Sequence, residues 1–287
     1  MFMELFSKGD KVGIVACSNG LDKSNILKMN ELGQALKELG LIPVFSDNLY
    51  KNYSVFNGSN KEKAEILMNF FIDNDIKGIF DVSGGDLANG ILDHLNFETI
   101  RNNMKPFFGY SDLSVVINAI YSQTNMKTYL YQIRNLIGDR REVQVEEFKN
   151  TFMDNGSKLL TFNYEWVQGC AMEGIVVGGN LRCLLKLAGT KYMPDFKDKI
   201  IFLESLGGDV PKMFTYLTQY KQLGVFEQVK GIILGEFSEM EREKHVPNIL
   251  EITKEIVENS NIPIIKTSEI GHSKSSKCII IGGKIKL

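Results

Sequence analysis

The chain has 287 residues, 44% of them apolar and 24% charged, ordinary values for a globular protein with room for one or two domains. A net charge of −2 gives no electrostatic reason to expect nucleic acid or an anionic membrane as partner. No stretch approaches the ~20 continuous apolar residues that a spanning helix needs.

The first residues lack a basic segment followed by a long apolar run, so no export signal is expected and the cytoplasm is the expected compartment. Cys17, Cys170, Cys183 and Cys278 are far apart and form no C-x-x-C pair, which argues against a zinc site or a disulfide framework. No metal or cofactor is expected. There are 3 histidines, His94, His245 and His272, so any mechanism that needs an imidazole must choose among them.

Residues 11–16 read as a first buried strand, with Cys17-Ser18-Asn19-Gly20 as the loop at its carboxyl end. Residues 24–39 follow as a helix, with Met29, Leu32, Leu36 and Leu39 along one face and Gly40 as its stop. A second strand over 41–45 contains Pro43, which suits an edge position. A helix over 61–74 and a third strand over 78–82 continue an alternation that implies parallel pairing with right-handed crossovers. In such sheets ligands gather outside the carboxyl ends of the strands. Three loops fall there: 17–20, Ser83-Gly84-Gly85-Asp86, and Gly109-Tyr110-Ser111-Asp112. Gly84-Gly85 either lets backbone approach a ligand or makes an ordinary tight turn; its surroundings do not fit a dinucleotide or P-loop fingerprint.

Phe107 and Phe108 look like the end of a short buried strand, and Leu113, Val116, Ile117, Ile120 and Tyr121 recur at helical spacing. Ser111 therefore falls on a tight strand-to-helix turn. Such a turn lifts a hydroxyl off the sheet edge, beside helix N–H groups that can meet a developing oxyanion. The same position also suits a plain N-cap, and Leu113 stands where the second glycine of G-x-S-x-G would be.

From about 138 to 164 the pattern loosens and becomes polar, which divides the chain into units 1–140 and 165–287 with a linker over 141–164. Arg140, Arg141, Glu146 and Glu147 read as a solvated face. Beyond it come a strand over 174–177, a helix opened by Gly178-Gly179-Asn180 and running to Leu187, and a buried strand over 199–203 leading into Glu204. A helix over 210–220, a strand over 231–234, a helix from Pro247 and a short strand over 263–265 lead to Ile270-Gly271-His272. Residues 278–287 read as a terminal hairpin turning at Gly282-Gly283.

Ser111, Glu204 and His272 thus stand at predicted strand ends. Together they supply a nucleophile, a base of near-neutral pKa and a carboxylate to orient that base. Each has a plainer reading when taken alone: a helix cap, a surface charge, a polar loop residue. His94 falls at an expected helix end, where an imidazole stabilises the last turn, and His245 lies in a charged loop.

Several runs together resemble the LD-carboxypeptidase family of serine peptidases, which also takes in the microcin C immunity peptidases. They are Gly9-Asp10-Lys11-Val12, Gly84-Gly85-Asp86, Phe108-Gly109-Tyr110-Ser111-Asp112, Gly178-Gly179-Asn180-Leu181, Gly189-Thr190, Phe202-Leu203-Glu204, Gly235-Glu236-Phe237 and Gly271-His272. The resemblance implies an α/β fold: a parallel α/β domain like that of the glutamine amidotransferases, then a smaller β-rich α/β domain. It implies Ser111 as nucleophile, Glu204 as orienting acid and His272 as general base, with the backbone N–H groups of Gly85 and Asp112 as oxyanion hole. It also implies a homodimer acting on a small peptide, with hydrolysis of the amide between an L-centre and a terminal D-residue, as in murein peptide recycling. An immunity-type peptidase acting on a peptidyl- or aminoacyl-nucleotide is the alternative within the class, and a non-catalytic binding protein on the same fold the alternative outside it.

Two departures from the family pattern bear on this. Leu130-Tyr131-Gln132 replaces a His-Gly-Pro or Tyr-Gly-Pro run, which alters the expected pocket wall. Cys17-Ser18 replaces Pro-Ser and introduces Cys17 as a rival nucleophile, ranked below Ser111 because it lies in a strand's loop and not on an elbow. A terminal carboxylate needs a cation or several N–H donors, for which Arg134 is a candidate; Asn180 is the second candidate substrate-binding residue.

Overall fold

In the computed structural model, which describes residues 4–259 and 261–287, alternating apolar runs and amphipathic helices wind a first sheet. The opening residues on which the export-signal reading rests lie partly outside that description. In chain order come β1 (Lys11–Val15), α1 (Ile26–Glu38), β2 (Ile42–Phe45), α2 (Asn60–Ile72), β3 (Ile76–Asp81), α3 (Phe97–Asn102), β4 (Phe107–Gly109), α4 (Ser114–Thr124) and β5 (Thr128–Leu130). β5, β4, β3, β1 and β2 pair in parallel in that order, and Pro43 lies in the edge strand β2, where a missing N–H costs no ladder bond.

The polar stretch read as a linker is not all connector. Its first half forms α5 (Arg141–Phe152), which buries Phe148 and Phe152. These two rings join Phe80, Phe108 and Tyr129 in an aromatic cluster on one face of the first sheet, with Phe80–Phe108 and Phe108–Tyr129 centroids each 4.5 Å apart. Flanking charges masked that apolar side of the helix in the sequence.

The second sheet is built from β6 (Glu165–Gln168), β7 (Glu173–Asn180), α6 (Leu181–Leu184), β8 (Lys199–Ser205), α7 (Val210–Gln222), β9 (Gly231–Phe237), α8 (Ser238–Arg242), α9 (Ile249–Val257) and β10 (Ile264–Lys266). β7, β8, β9 and β10 run parallel, with β6 antiparallel at one edge. The helix expected from Asn180 to Leu187 is a single α-turn, α6, that tightens into a 3-10 turn over Leu185–Leu187. α9 begins two residues after Pro247, capped by Asn248, whose side chain accepts from the N–H groups of Leu250 and Glu251.

The terminal hairpin expected from the sequence is corrected. The last strands, β11 (Ile279–Ile281) and β12 (Lys284–Lys286), turn at Gly282-Gly283 but do not pair with each other. β11 adds antiparallel to β5 in the first sheet, while β12 adds antiparallel to β7 in the second. The tail therefore bridges the two sheets.

The sheets also meet through α4, which is buried on almost every side. Its apolar face lies in one continuous core with Val177, Leu181 and Leu184 of the second sheet's side. Its polar face is satisfied there too: Asn118 donates to Gly178 O at 2.7 Å and accepts from Gly178 N at 2.9 Å. Gly179, at φ +145°, allows the approach, because a Cβ there would come 2.4 Å from Ser114 Oγ.

Candidate active site

Ser111 occupies the turn between β4 and the 3-10 turn that leads into α4. Its φ is +57°, a left-handed conformation that costs a non-glycine residue roughly 1–2 kcal/mol. The N-cap reading fails here: the cap of the 3-10 turn is Tyr110, and no side chain caps either that turn or α4. The Ser111 hydroxyl is directed instead at His272, with Oγ 3.2 Å from Nε2.

The imidazole is held on its other side. His272 Nδ1 lies 2.6 Å from Glu204 Oε2, and the Glu204 carboxylate is fully buried near the end of β8. A carboxylate buried without a partner would be costly, and Glu204 has two. Its Oε1 accepts from Asn180 Nδ2 at 3.1 Å, across the register pair that joins β7 to β8. Asn180 is buried as well, and its Oδ1 caps α6 through Cys183 N at 3.2 Å. Its backbone N–H donates to Ser114 Oγ at 2.8 Å, tying the second sheet to the helix behind Ser111.

The loop carrying His272 is fixed by residues that the sequence did not flag for this role. Glu236, at the end of β9, accepts from Ser273 N at 2.9 Å, and Gly271 N donates to Ser276 Oγ at 3.0 Å. A Cβ on Gly271 would lie 2.4 Å from Glu236 Cβ, so the glycine is what brings the loop against β9. Two hints were legible: Glu236, like Glu204, follows an apolar run, and Gly235-Glu236-Phe237 is one of the runs that carry the family resemblance. Tyr110 packs its ring on His272, with centroids 4.5 Å apart.

Asp112 closes the turn from below. Its fully buried carboxylate accepts from Lys186 Nζ at 2.5 Å, Ser18 Oγ at 2.6 Å and Ala88 N at 2.9 Å. Gly84 and Gly85 run alongside: a Cβ on Gly84 would come 4.0 Å from Ser111 Cβ. Gly85 has φ +125°, and a Cβ there would strike the Asn19 side chain at 2.2 Å, so backbone alone fits.

A cavity of about 470 Å³ opens on Ser111, Gly85, Asn180, Ser205 and Gly208, with Arg182 and Lys212 among its lining cations. Arg134 is not there. It lines a second cavity, of about 360 Å³, that has His272 and Tyr110 on its wall. Cys17 is buried; burial and the Asp81 carboxylate beside it push the thiol well up, which disfavours the thiolate a nucleophile requires. His94 is exposed at the end of the 3-10 turn Ala88–His94, and His245 lies just beyond α8, so neither joins the Ser111 cluster. Among the described residues no group of His, Cys, Asp or Glu side chains is arranged to hold a metal ion, and no helix is long and apolar enough to cross a membrane.

Family models match most of the chain. The model described as the LD-carboxypeptidase N-terminal domain matches residues 12–131, and that of the LD-carboxypeptidase C-terminal domain matches residues 173–287. The chain belongs to the LD-carboxypeptidase family. This is a family of serine peptidases that also takes in the microcin C7 self-immunity protein MccF. Among relatives, the "Probable murein peptide carboxypeptidase" of Bacillus subtilis is 27% identical over 291 residues, covering 97% of this chain and 88% of that protein. The solved MccF-like protein of Bacillus anthracis superposes with a TM-score of 0.86 at 28% identity, covering 98% of this chain and 94% of that one. MccF of Escherichia coli is 24% identical over 262 residues, covering 80% of this chain and 76% of that protein. Its solved complex with aspartyl sulfamoyl adenosine has a TM-score of 0.86 at 22% identity, covering 100% of this chain and 95% of that one. At that identity the likeness speaks for the LD-carboxypeptidase two-sheet fold alone.

Proposed function

We propose that this chain is a serine carboxypeptidase that hydrolyses the amide between an L-configured centre and a terminal D-amino acid, as in a murein peptide. The observation that carries the reading is the hydrogen-bonded run Ser111–His272–Glu204, at 3.2 and 2.6 Å, with the carboxylate end fully buried. His272 Nε2 takes the hydroxyl proton as Ser111 Oγ attacks the scissile carbonyl. The buried Glu204 fixes the ring so that Nδ1–H points at it and stabilises the imidazolium that forms. Backbone N–H groups of Asp112 and Gly85 receive the oxyanion; the left-handed turn at Ser111 and the lack of a side chain at Gly85 support that role. His272 then protonates the leaving amine, and water resolves the acyl-enzyme by the same steps in reverse order of proton flow.

On this reading the centre is shared by two units, 1–140 and 165–287, in a cytoplasmic homodimer. Light scattering on the purified chain tests the dimer directly. The similarity to MccF supports a second reading, in which the leaving group is a nucleotide and not an amino acid. One assay separates them: murein tetrapeptide, its all-L counterpart, its C-terminal amide and a peptidyl-nucleotide are offered to the enzyme and products are quantified. Release from the free-acid LD peptide alone supports the first reading. Equal release from the all-L peptide defeats its stereochemical part, and cleavage of the peptidyl-nucleotide alone selects the second.

A further inference from the structure

The Ser111–His272 pair has a cavity on each side, and the second one is chemically unusual. Three of its lining residues, Gln132, Arg134 and Asn135, come from the 3-10 turn after β5 and its cap. Gln132 Nε2, Arg134 Nε and Asn135 Nδ2 are all buried and have no hydrogen-bond partner among the described residues. Gln132 and Asn135 are 6% and 7% exposed, so solvent does not serve them freely. The Gln132 amide has a defined orientation: its Oε1 accepts from Arg134 N at 3.2 Å, which leaves Nε2 as the outward donor.

Arg134 makes no ion pair among the described residues. Burial pushes its guanidinium down from the ordinary value, while Tyr110 and Asp81 push the other way. The other charges on this cavity do not neutralise it: Asp139 pairs with Lys274, and Lys28 and Glu31 are exposed. A half-buried guanidinium with no anion and an unpartnered, buried Nε, beside two idle amide donors, is costly for folding alone. All three idle groups are donors, so the ligand they suit is acceptor-only. A planar carboxylate matches the Arg fork.

We propose that this second cavity seats the carboxylate of the departing amino acid, held by Arg134 and Gln132 with Asn135 beside them. This rests on the serine carboxypeptidase reading above and adds a division of the site to it. The acyl part of the substrate occupies the cavity that opens on Ser111 and Gly85, and the leaving residue occupies the cavity walled by His272. Chemistry requires that side: the amine of an α-amino acid must reach His272 Nε2 to be protonated, and its carboxylate carbon is only two bonds from that nitrogen. A free-acid terminus is therefore selected over an amide, which would bring its own N–H donors against donors.

The test uses the full-length chain carrying Ser111→Ala, so that nothing turns over, with D-alanine and D-alaninamide as probes followed by ligand-observed NMR. D-alanine should bind measurably more tightly than D-alaninamide. Adding Arg134→Met should weaken D-alanine about 10-fold or more, the scale of a lost hydrogen bond to a charged group, and leave D-alaninamide unchanged. Gln132→Leu should act in the same direction by a smaller factor. Because Arg134 is unpaired in the free protein, Arg134→Met should not lower the melting midpoint, which separates a binding role from a structural one. Failure of D-alanine to bind, equal binding of acid and amide, or unchanged D-alanine binding in Arg134→Met each overturns the proposal. A failure of the underlying reading looks different: hydrolysis that survives Ser111→Ala, or the absence of any peptide hydrolysis while Arg134-dependent D-alanine binding persists.

Discussion

Ser111 Oγ lies 3.2 Å from His272 Nε2, although the serine follows the first sheet's β4 and the histidine follows the second sheet's β10. Neither sheet holds a nucleophile and a base on its own. The contact of α4 with β7, through Asn118–Gly178 and Asn180–Ser114, joins the sheets beside the pair, and the tail strands β11 and β12 bridge them as well.

Ser111→Ala and His272→Ala should each remove ~10³-fold or more of turnover, and the double variant should lose little beyond either one, because the two act as a unit. Steady-state kinetics on the released amino acid measures this. Ser111→Gly should be equally inactive yet about 1 kcal/mol more stable than Ser111→Ala in urea unfolding, since glycine tolerates the left-handed turn. Independent, multiplicative losses in the double variant would remove the case for a coupled pair.

Glu204→Gln keeps size and hydrogen-bonding capacity but can present an N–H to His272 Nδ1. The ring would then carry its proton on Nε2, the nitrogen that must accept from Ser111. A loss of ~10³-fold or more in kcat with little change in KM is expected, with folding retained. A variant with near-native kcat would mean that the carboxylate serves structure only.

The alternation of strands and helices, the edge position of Pro43 and the strand-end placement of Ser111 and Glu204 were legible because each depends on local period or on one residue's backbone limits. His272 was singled out by its place after a predicted strand end and by the Gly271-His272 run of the resemblance, among 3 histidines in the chain. Other features were hidden for physical reasons. β5 and β6, of three and four residues, were not read from the sequence. α5 packs Phe148 and Phe152 under a heavily charged exterior, so it passed for a connector. The tail's β11 and β12 read as a hairpin because turn chemistry at Gly282-Gly283 is local, whereas their partners, β5 and β7, are set by the tertiary fold. The contacts of Asn180 and Glu236 join segments distant in the chain, which spacing cannot show.

Gly179→Val should break the join between the sheets. Its Cβ would fall 2.4 Å from Ser114 Oγ, and φ +145° is a conformation that a β-branched residue resists. A destabilisation of about 2 kcal/mol or more in urea unfolding is expected, with activity falling at denaturant concentrations that leave the wild type intact. An unfolding midpoint within error of the wild type would show that the sheets are held elsewhere.

Cys17 should behave as an inert core thiol. In the native protein, iodoacetamide near pH 8 should modify the exposed Cys170 and spare the buried Cys17, Cys183 and Cys278, with activity retained. Peptide mapping after quenching reads this. Burial and the neighbouring Asp81 raise the Cys17 thiol, so raising the pH within the native range should not make it reactive. Rapid Cys17 alkylation coupled to loss of activity would return it to contention as nucleophile.

The most direct measurement is to trap the acyl-enzyme. A depsipeptide analogue, whose terminal D-residue is joined through an ester so that acylation outpaces deacylation, is mixed with the full-length chain, quenched in acid, digested and mapped by mass spectrometry. The adduct is expected on Ser111 and should be absent in His272→Ala. Product release with the adduct on Cys17, or with no covalent adduct under conditions where deacylation is rate-limiting, would contradict Ser111 as the nucleophile.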